Sequence, residues 1–126
     1  MICIGIGFRN GAAPEPLIAL VEKALSSIAT EGHTVVLVSH DRKRGEAGLA
    51  EAARRLGLPL HFVTEEQALV ADSGSVTRSS HSLQTTGLAC FSEAVALACA
   101  GPNAHLLLNR IVSKGVACAA ARGDSA

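Results

Sequence analysis

MICIGIGFRNG, residues 1 to 11, begins with a continuously apolar run that ends among glycines. An apolar run without polar alternation is typical of a strand that is covered on both faces of a sheet. We therefore predict a buried strand over Ile2 to Phe8 and a glycine-rich turn after it. Pro14 then suits the first turn of a helix, where a missing backbone N–H costs nothing. This strand-turn-helix start predicts an α/β protein.

The same alternation continues along the first half of the chain. Apolar residues recur at helical spacing from Leu17 to Ile28, and TVVLVS at Thr34 to Ser39 is a second apolar strand. A second helix is predicted to end at Leu56 before Gly57, and a short third strand covers Leu60 to Val63. Because β-α-β units cross over in one hand, these three strands are expected to be parallel.

The second half of the chain has a different pattern. Thr64 with Gln67 resembles a capping box that opens a short helix, and Asp72 to Thr86 is a Ser-, Thr- and Gly-rich stretch of the kind that forms binding loops. An alanine-rich helix follows over Cys90 to Ala100. His105 to Ile111 and Val116 to Ala121 then form two strands around a tight turn, and strands joined in this way are antiparallel.

These elements predict a three-layer α/β/α fold with a mixed, mainly parallel sheet and a C-terminal antiparallel strand pair. The length of 126 residues fits a single domain, which we assign to residues 1–122, with a flexible tail at 123–126. Hydrophobic residues make up 48% and charged residues 17%, which excludes a disordered chain.

Composition also excludes several classes of partner. The formal net charge is zero and Trp and Tyr are absent, so we expect no nucleic-acid binding. No apolar run approaches the roughly 20 residues of a membrane span. The four cysteines form no Cys-x-x-Cys pair and lie in apolar segments, which favours reduced, buried thiols in a cytoplasmic protein without a metal site or a cofactor.

The first candidate binding segment is the turn after the first strand. In open α/β sheets, ligands bind beyond the carboxyl ends of the strands. Gly7 and Gly11 would let backbone N–H groups approach an anion, and the Arg9 guanidinium could clamp a carboxylate. The spacing G-x-G-x-x-x-G departs from the dinucleotide fingerprint, which argues against NAD binding. A tight turn without a ligand remains the alternative.

The second candidate segment follows the second strand and contains four candidate binding residues, namely Ser39, Asp41, Lys43 and Glu46. Its charges form either an ordinary solvated surface or a paired Asp41–Lys43 site positioned over the sheet edge.

The third candidate segment comprises Thr86, Gly87 and Glu93. Glu93 either caps its helix or faces the cleft as a general base. A serine–histidine nucleophile at Ser79 to His81 is disfavoured, because no G-x-S-x-G elbow is present.

Taken in order, the three segments resemble the CobE proteins of cobalamin biosynthesis, which are similar to the C-terminal domain of the lactone-opening hydrolase CbiG. The segments that carry the resemblance are GIGFRNG at Gly5 to Gly11, SHDRKRGEAGL at Ser39 to Leu49 and TGLACFSEAVAL at Thr86 to Leu97. Phe8 stands where the family has a cysteine, which argues against covalent thiol chemistry at this turn. Arg110 stands for a family lysine near the end of the chain.

The resemblance implies a cobalamin biosynthesis protein that binds a precorrin-type tetrapyrrole, with other pathway enzymes as possible partners. Precorrins carry many carboxylates, and the side chains of Arg9, Lys43 and Arg110 are suitable partners for them. The alternative is a hydrolase that assists lactone opening, in which Glu93 or Asp41 activates water and Arg9 stabilises the oxyanion. A third alternative is a protein–protein adaptor. The resemblance to the free-standing CobE proteins also implies the aerobic branch of the pathway.

Overall fold

The computed structural model of the protein describes residues 1–8, 11–29, 32–64, 91–101, 104–113 and 115–123. Three α-helices occur in these ranges: α1 (Pro14–Ser26), α2 (Ala47–Leu56) and α3 (Phe91–Ala100). A 3-10 helix covers Asp41–Lys43. The strands are β1 (Ile2–Phe8), β2 (Val35–His40), β3 (Leu60–Val63), β4 (His105–Ser113) and β5 (Val116–Arg122).

The five strands form one sheet in the order β3-β2-β1-β5-β4. β1 pairs in parallel with β2, and β2 in parallel with β3. β5 is antiparallel to both of its neighbours, β1 and β4. The mixed sheet and the C-terminal antiparallel pair are confirmed, but "mainly parallel" overstates the balance, because parallel and antiparallel pairings are equal in number among the described strands. The reason is that β5, rather than β4, occupies the free edge of β1.

Side chains that alternate along β1 enter two separate cores, which confirms the three-layer arrangement. Ile2, Ile4 and Ile6 pack with α1 and α2 on one face of the sheet. Cys3 lies on the opposite face, where it packs with residues of β2, β3 and α3. The strand is therefore apolar at every position because both of its faces are covered.

Gly5 sets the distance between α3 and the sheet. A Cβ atom at this position would lie 2.1 Å from the Ser92 carbonyl oxygen and 2.9 Å from the backbone nitrogen of Ala96. The helix thus packs directly on the β1 backbone, and the alanines of α3 and β5 fit the same close approach. Glycine at position 5 is a packing requirement of the fold as well as part of the turn sequence.

Several predicted boundaries move by a few residues. α1 ends at Ser26 rather than near Ile28, although Ile28 still packs on the core. Gly57 closes α2 with φ 69°, as its position before the third strand predicted. β4 and β5 extend to Ser113 and Arg122. The predicted capping box at Thr64 and Gln67 and the Asp72 to Thr86 loop lie largely outside the described residues.

The two ends of the described chain meet beside the sheet. The Gly123 backbone N–H donates a hydrogen bond of 3.2 Å to the Met1 carbonyl oxygen. The remaining residues of the predicted tail, 124–126, lie outside the described ranges. No helix in those ranges has the length and apolar character needed to cross a membrane.

Candidate functional site

The predicted first and second segments meet at one edge of the sheet. β1 ends at Phe8, β2 at His40 and β3 at Val63, and because these strands are parallel their carboxyl ends share that edge. The turn before α1 and the segment between β2 and α2 therefore come into contact there. This edge is the location that the α/β architecture favours for a ligand.

A hydrogen bond joins the two segments directly. The Gly11 backbone N–H donates to Glu46 Oε1 at 2.7 Å, and Gly11 has φ 80°, a conformation that favours glycine. Next to this bond, a Cβ atom on Gly48 would lie 2.1 Å from the Ala12 carbonyl oxygen, so α2 begins tightly against the turn. The Gly11 N–H, which was predicted to face a ligand anion, thus holds a carboxylate of the protein itself.

Lys43 lies over the end of β1. Its Nζ atom is 4.8 Å from the centroid of the Phe8 ring, within the range of a cation–π contact. Partial burial lowers the pKa of Lys43, and the negative charge of Glu46 opposes this effect. The aromatic ring at position 8 therefore supports a half-buried ammonium group at the carboxyl edge.

Asp41 is engaged on the exposed side of the same segment. Its carboxylate forms an ion pair with the Arg44 side chain, and the Arg44 guanidinium also lies 4.8 Å from the centroid of the Phe62 ring. Both side chains of the pair are largely exposed, so solvent screens the interaction. Asp41, a predicted base, is oriented in this structure by a neighbouring cation.

His40 and Ser39 organise the end of β2. The Arg42 backbone N–H donates to His40 Nδ1 at 3.0 Å, so the buried imidazole caps the 3-10 helix. This role of His40 was not predicted from the sequence. The Ser39 hydroxyl is fully buried and donates to the Ile6 carbonyl oxygen at 2.9 Å. Ser39, predicted as a ligand contact, therefore links β2 to β1 in this structure. The predicted roles of both segments toward a ligand stay predictions.

Glu93 forms a second, separate feature on the α3 side of the sheet. It is fully buried in the first turn of α3, and its Oε2 accepts a hydrogen bond of 3.0 Å from the Arg110 backbone N–H. The pairing of β4 with β5 shifts register between Leu108 and Ile111, so Arg110 sits in an irregular part of the strand. The Glu93 carboxylate thus satisfies a backbone N–H where the ladder is interrupted.

A buried hydroxyl lies beside Glu93. Ser92 Oγ has no hydrogen-bond partner among the described residues, although the side chain is fully buried. Ser92 was not predicted from the sequence, because a serine in an alanine-rich helix carries no distinguishing pattern.

The remaining predicted site residues divide into two groups. Gly7 lies in β1 and pairs with Ala117 of β5. Arg9, Thr86 and Gly87 lie outside the described ranges, and their predicted roles stay predictions. Within the described ranges, no three metal-ligating side chains cluster in a way that could hold an ion.

Comparison with known proteins identifies the family. The family described as Cobalamin synthesis G C-terminus matches residues 2–121 of this chain. Among solved structures, CobE, "a protein from the cobalamin (vitamin B12) biosynthetic pathway", is 32% identical with a TM-score of 0.84, and the match covers 97% of this chain and 89% of that chain. The cobalamin biosynthesis protein ChiG from Agrobacterium tumefaciens str. C58 is 39% identical with a TM-score of 0.75, covering 99% and 100% of the two chains.

A search of curated protein sequences gave no match. The family match nevertheless spans nearly all of the sheet and helices described above, and both solved structures align over almost their whole length. The chain therefore belongs to the Cobalamin synthesis G C-terminus family of cobalamin biosynthesis proteins.

Proposed function

We propose that this protein binds a precorrin-type tetrapyrrole intermediate at the carboxyl edge of its sheet. The observation that carries the proposal is the half-buried Lys43 ammonium, which lies 4.8 Å from the Phe8 ring centroid at the end of β1. A partly desolvated cation at a strand-end edge is a strong partner for an anion, because solvent screens it less than it screens a surface lysine. Membership of a cobalamin biosynthesis family points to the carboxylates of a macrocycle as that anion.

The other cationic residues extend the proposed site. Arg9 lies between β1 and α1 in the sequence. Arg110 lies on β4, and its backbone N–H is bound by Glu93 of α3. Together with Lys43 they offer up to three partners for the carboxylates around a flat ligand. The Thr86–Gly87 segment precedes α3 and is proposed to contribute backbone contacts.

Binding is favoured over hydrolysis by the state of the two candidate bases. Asp41 is paired with Arg44, and the buried Glu93 carboxylate accepts the Arg110 N–H. A general base for lactone opening must reach a water molecule next to the substrate. Both carboxylates already serve contacts that hold local structure, so presentation or protection of an intermediate is the proposed role.

The test is a titration of the full chain with hydrogenobyrinic acid, a stable corrinoid, followed through the visible spectrum of the ligand. We expect saturable binding that Lys43→Gln weakens about tenfold, which corresponds to the loss of roughly 1.4 kcal/mol. Lys23→Gln is the matched control, because Lys23 is an exposed lysine in the last turn of α1 and should leave the affinity unchanged.

Two results would contradict the proposal. The absence of any saturable spectral change would remove the binding function, and equal affinities of Lys43→Gln and Lys23→Gln would remove Lys43 from the site. Incubation with a lactone-bearing precorrin tests the alternative, since hydrolysis adds the mass of one water to the ligand and binding alone leaves the mass unchanged.

The same proposal implies a cytoplasmic protein that passes its ligand to other enzymes of the pathway. Cell fractionation and co-purification with the corrin methyltransferases test this implication. Recovery outside the cytoplasmic fraction would contradict it.

A further inference from the structure

Two thiols meet in the core between β1 and α3. Cys3 is the second residue of β1 and is fully buried, whereas Cys99 is half-buried in the last turn of α3 and packs against the same apolar cluster. Both residues therefore belong to one core cluster, in which the end of α3 packs over the start of β1. Because Cys3 lies near the start of β1, this contact is at the opposite end of the sheet from the carboxyl edge.

The two thiols differ in acidity and in access. Hydrogen bonding by the neighbouring Cys3 thiol favours the thiolate form of Cys99 and lowers the pKa of Cys99. The same hydrogen bonding, together with burial, raises the pKa of Cys3. Thiol–disulfide exchange begins when a thiolate attacks a disulfide that it can reach. The more acidic and more accessible Cys99 is therefore expected to react first, and the buried Cys3 second.

We propose that Cys3 and Cys99 form a reversible disulfide between β1 and α3 when the reduced protein reacts with a low-molecular-weight disulfide such as oxidised glutathione. The Cys99 thiolate attacks the glutathione disulfide, forms a mixed disulfide and releases one glutathione. The Cys3 thiol then loses its proton and attacks the Cys99 sulfur, which releases the second glutathione. The protein loses two electrons and two protons, and one oxidised glutathione becomes two reduced molecules.

Packing in one cluster favours the second step. A disulfide needs the sulfur atoms about 2 Å apart, and the end of α3, which already packs against the cluster of Cys3, is the part that would move to close the bridge. Cys99 is the penultimate residue of that helix, where a small movement disturbs few helical hydrogen bonds.

Cys118 provides an internal contrast. It is a fully buried thiol of β5 on the other face of the sheet, in the core with α1 and α2. Burial raises the pKa of Cys118 to about 12, so it presents neither a thiolate nor an accessible sulfur. We expect Cys118 to stay reduced while the Cys3–Cys99 pair is oxidised.

The experiment incubates the reduced full chain with an excess of oxidised glutathione and records the intact mass. We expect the mass to fall by two hydrogen atoms. Trypsin leaves Cys3 in residues 1–9 and Cys118 in residues 115–122, but leaves Cys90 and Cys99 together in residues 79–110. Additional cleavage by chymotrypsin after Phe91 separates these two cysteines, and the linked peptides should then contain Cys3 and Cys99.

Three variants complete the test. Cys99→Ser should abolish the cross-link, Cys118→Ser should retain it, and Cys3→Ser should stop at a glutathione adduct on Cys99. Oxidised wild-type protein should also melt at a higher temperature than reduced protein, because a bridge between residues 3 and 99 restricts the unfolded chain, and this shift should vanish in Cys99→Ser. A bridge to Cys90, a stable adduct in the wild-type protein, or a fully reduced protein would each overturn the proposal.

Discussion

Glu46 and Gly11 lie 35 residues apart in the sequence, and a 2.7 Å hydrogen bond from the Gly11 N–H to the Glu46 carboxylate holds them together. The bond connects the start of α2 to the turn before α1. With Gly48 packed against the Ala12 carbonyl, it fixes the two loops that border the carboxyl edge relative to each other. In this structure the Glu46 side chain holds the turn in place, and the turn contains groups that are proposed to bind the ligand.

The effect of replacing Glu46 should therefore depend on whether the new side chain keeps a hydrogen-bond acceptor for the Gly11 N–H. We expect Glu46→Ala to lower the free energy of unfolding by about 1 kcal/mol, which is the usual net contribution of a single hydrogen bond. Glu46→Gln retains an acceptor oxygen and should lose less than half of that amount. Urea denaturation measures both, and equal losses in the two variants would show that charge, rather than the bond to Gly11, is what matters.

Gly5 should tolerate no larger side chain. In Gly5→Ala the new Cβ atom would lie 2.1 Å from the Ser92 carbonyl, which is backbone and cannot rotate away, so α3 must shift. We expect a loss of about 3 kcal/mol in urea denaturation, the upper end of overpacking effects. Gly45→Ala is the control, because a Cβ atom there meets no heavy atom within 4 Å and should change stability by no more than about 0.5 kcal/mol. Similar losses in both variants would contradict the close approach of α3.

The buried Glu93 carboxylate should contribute mainly to stability. Glu93→Ala leaves the Arg110 N–H without its acceptor and opens a cavity, so we expect a loss of about 3 kcal/mol. Glu93→Gln keeps an acceptor oxygen in a side chain of the same shape, so its free energy of unfolding should fall by clearly less than that of Glu93→Ala. Glu22→Ala, at an exposed site on α1, is the control for removal of a glutamate. Wild-type stability in Glu93→Ala, measured by urea denaturation, would refute this role.

Alkaline conditions should destabilise the protein through its buried thiols. Burial raises the pKa of Cys118 from its ordinary value of 9.0 to about 12, so between these values the unfolded chain loses a proton that the folded protein keeps. The contribution of the protonated Cys118 thiol to the free energy of unfolding is fully present below pH 9. It falls as the pH rises toward 12, by up to about 1.4 kcal/mol per pH unit.

Cys118→Ala isolates this contribution. The variant should be less stable at neutral pH, because it loses packing, but its free energy of unfolding should fall less steeply above pH 9 than that of the wild-type protein. The raised pKa of Cys3 acts in the same direction and remains in the variant. Parallel pH profiles for the two proteins, measured by urea denaturation at each pH, would contradict the effect of Cys118.

The sequence predicted the elements better than their assembly. The strand at Ile2 to Phe8 and the end of α2 at Gly57 were predicted correctly, because local sequence patterns determine both features. The insertion of β5 beside β1 was not predicted, since a hairpin pattern does not indicate which of its strands joins the sheet. The parallel majority was overstated for the same reason.

The candidate site shows a similar division. The sequence placed Lys43 and Glu46 at the strand-end edge, where the structure has them, because the βαβ topology fixes that edge. It did not indicate that Glu46 would bind Gly11 or that His40 would cap the 3-10 helix. Those contacts depend on side-chain directions across elements distant in sequence, which residue spacing does not encode.

The position of β5 also determines when each edge of β1 can find its partner strand during translation. β1 is synthesised early, and β2 can pair with one of its edges soon afterwards, but the other edge waits for a strand in which Val116 pairs with Phe8 and Arg122 with Ile2. Until that strand leaves the ribosome, the nascent protein exposes an apolar backbone edge that other chains can join. A message truncated before Val116 would therefore yield a chain that aggregates or is held by chaperones, even though most of the fold has already been made.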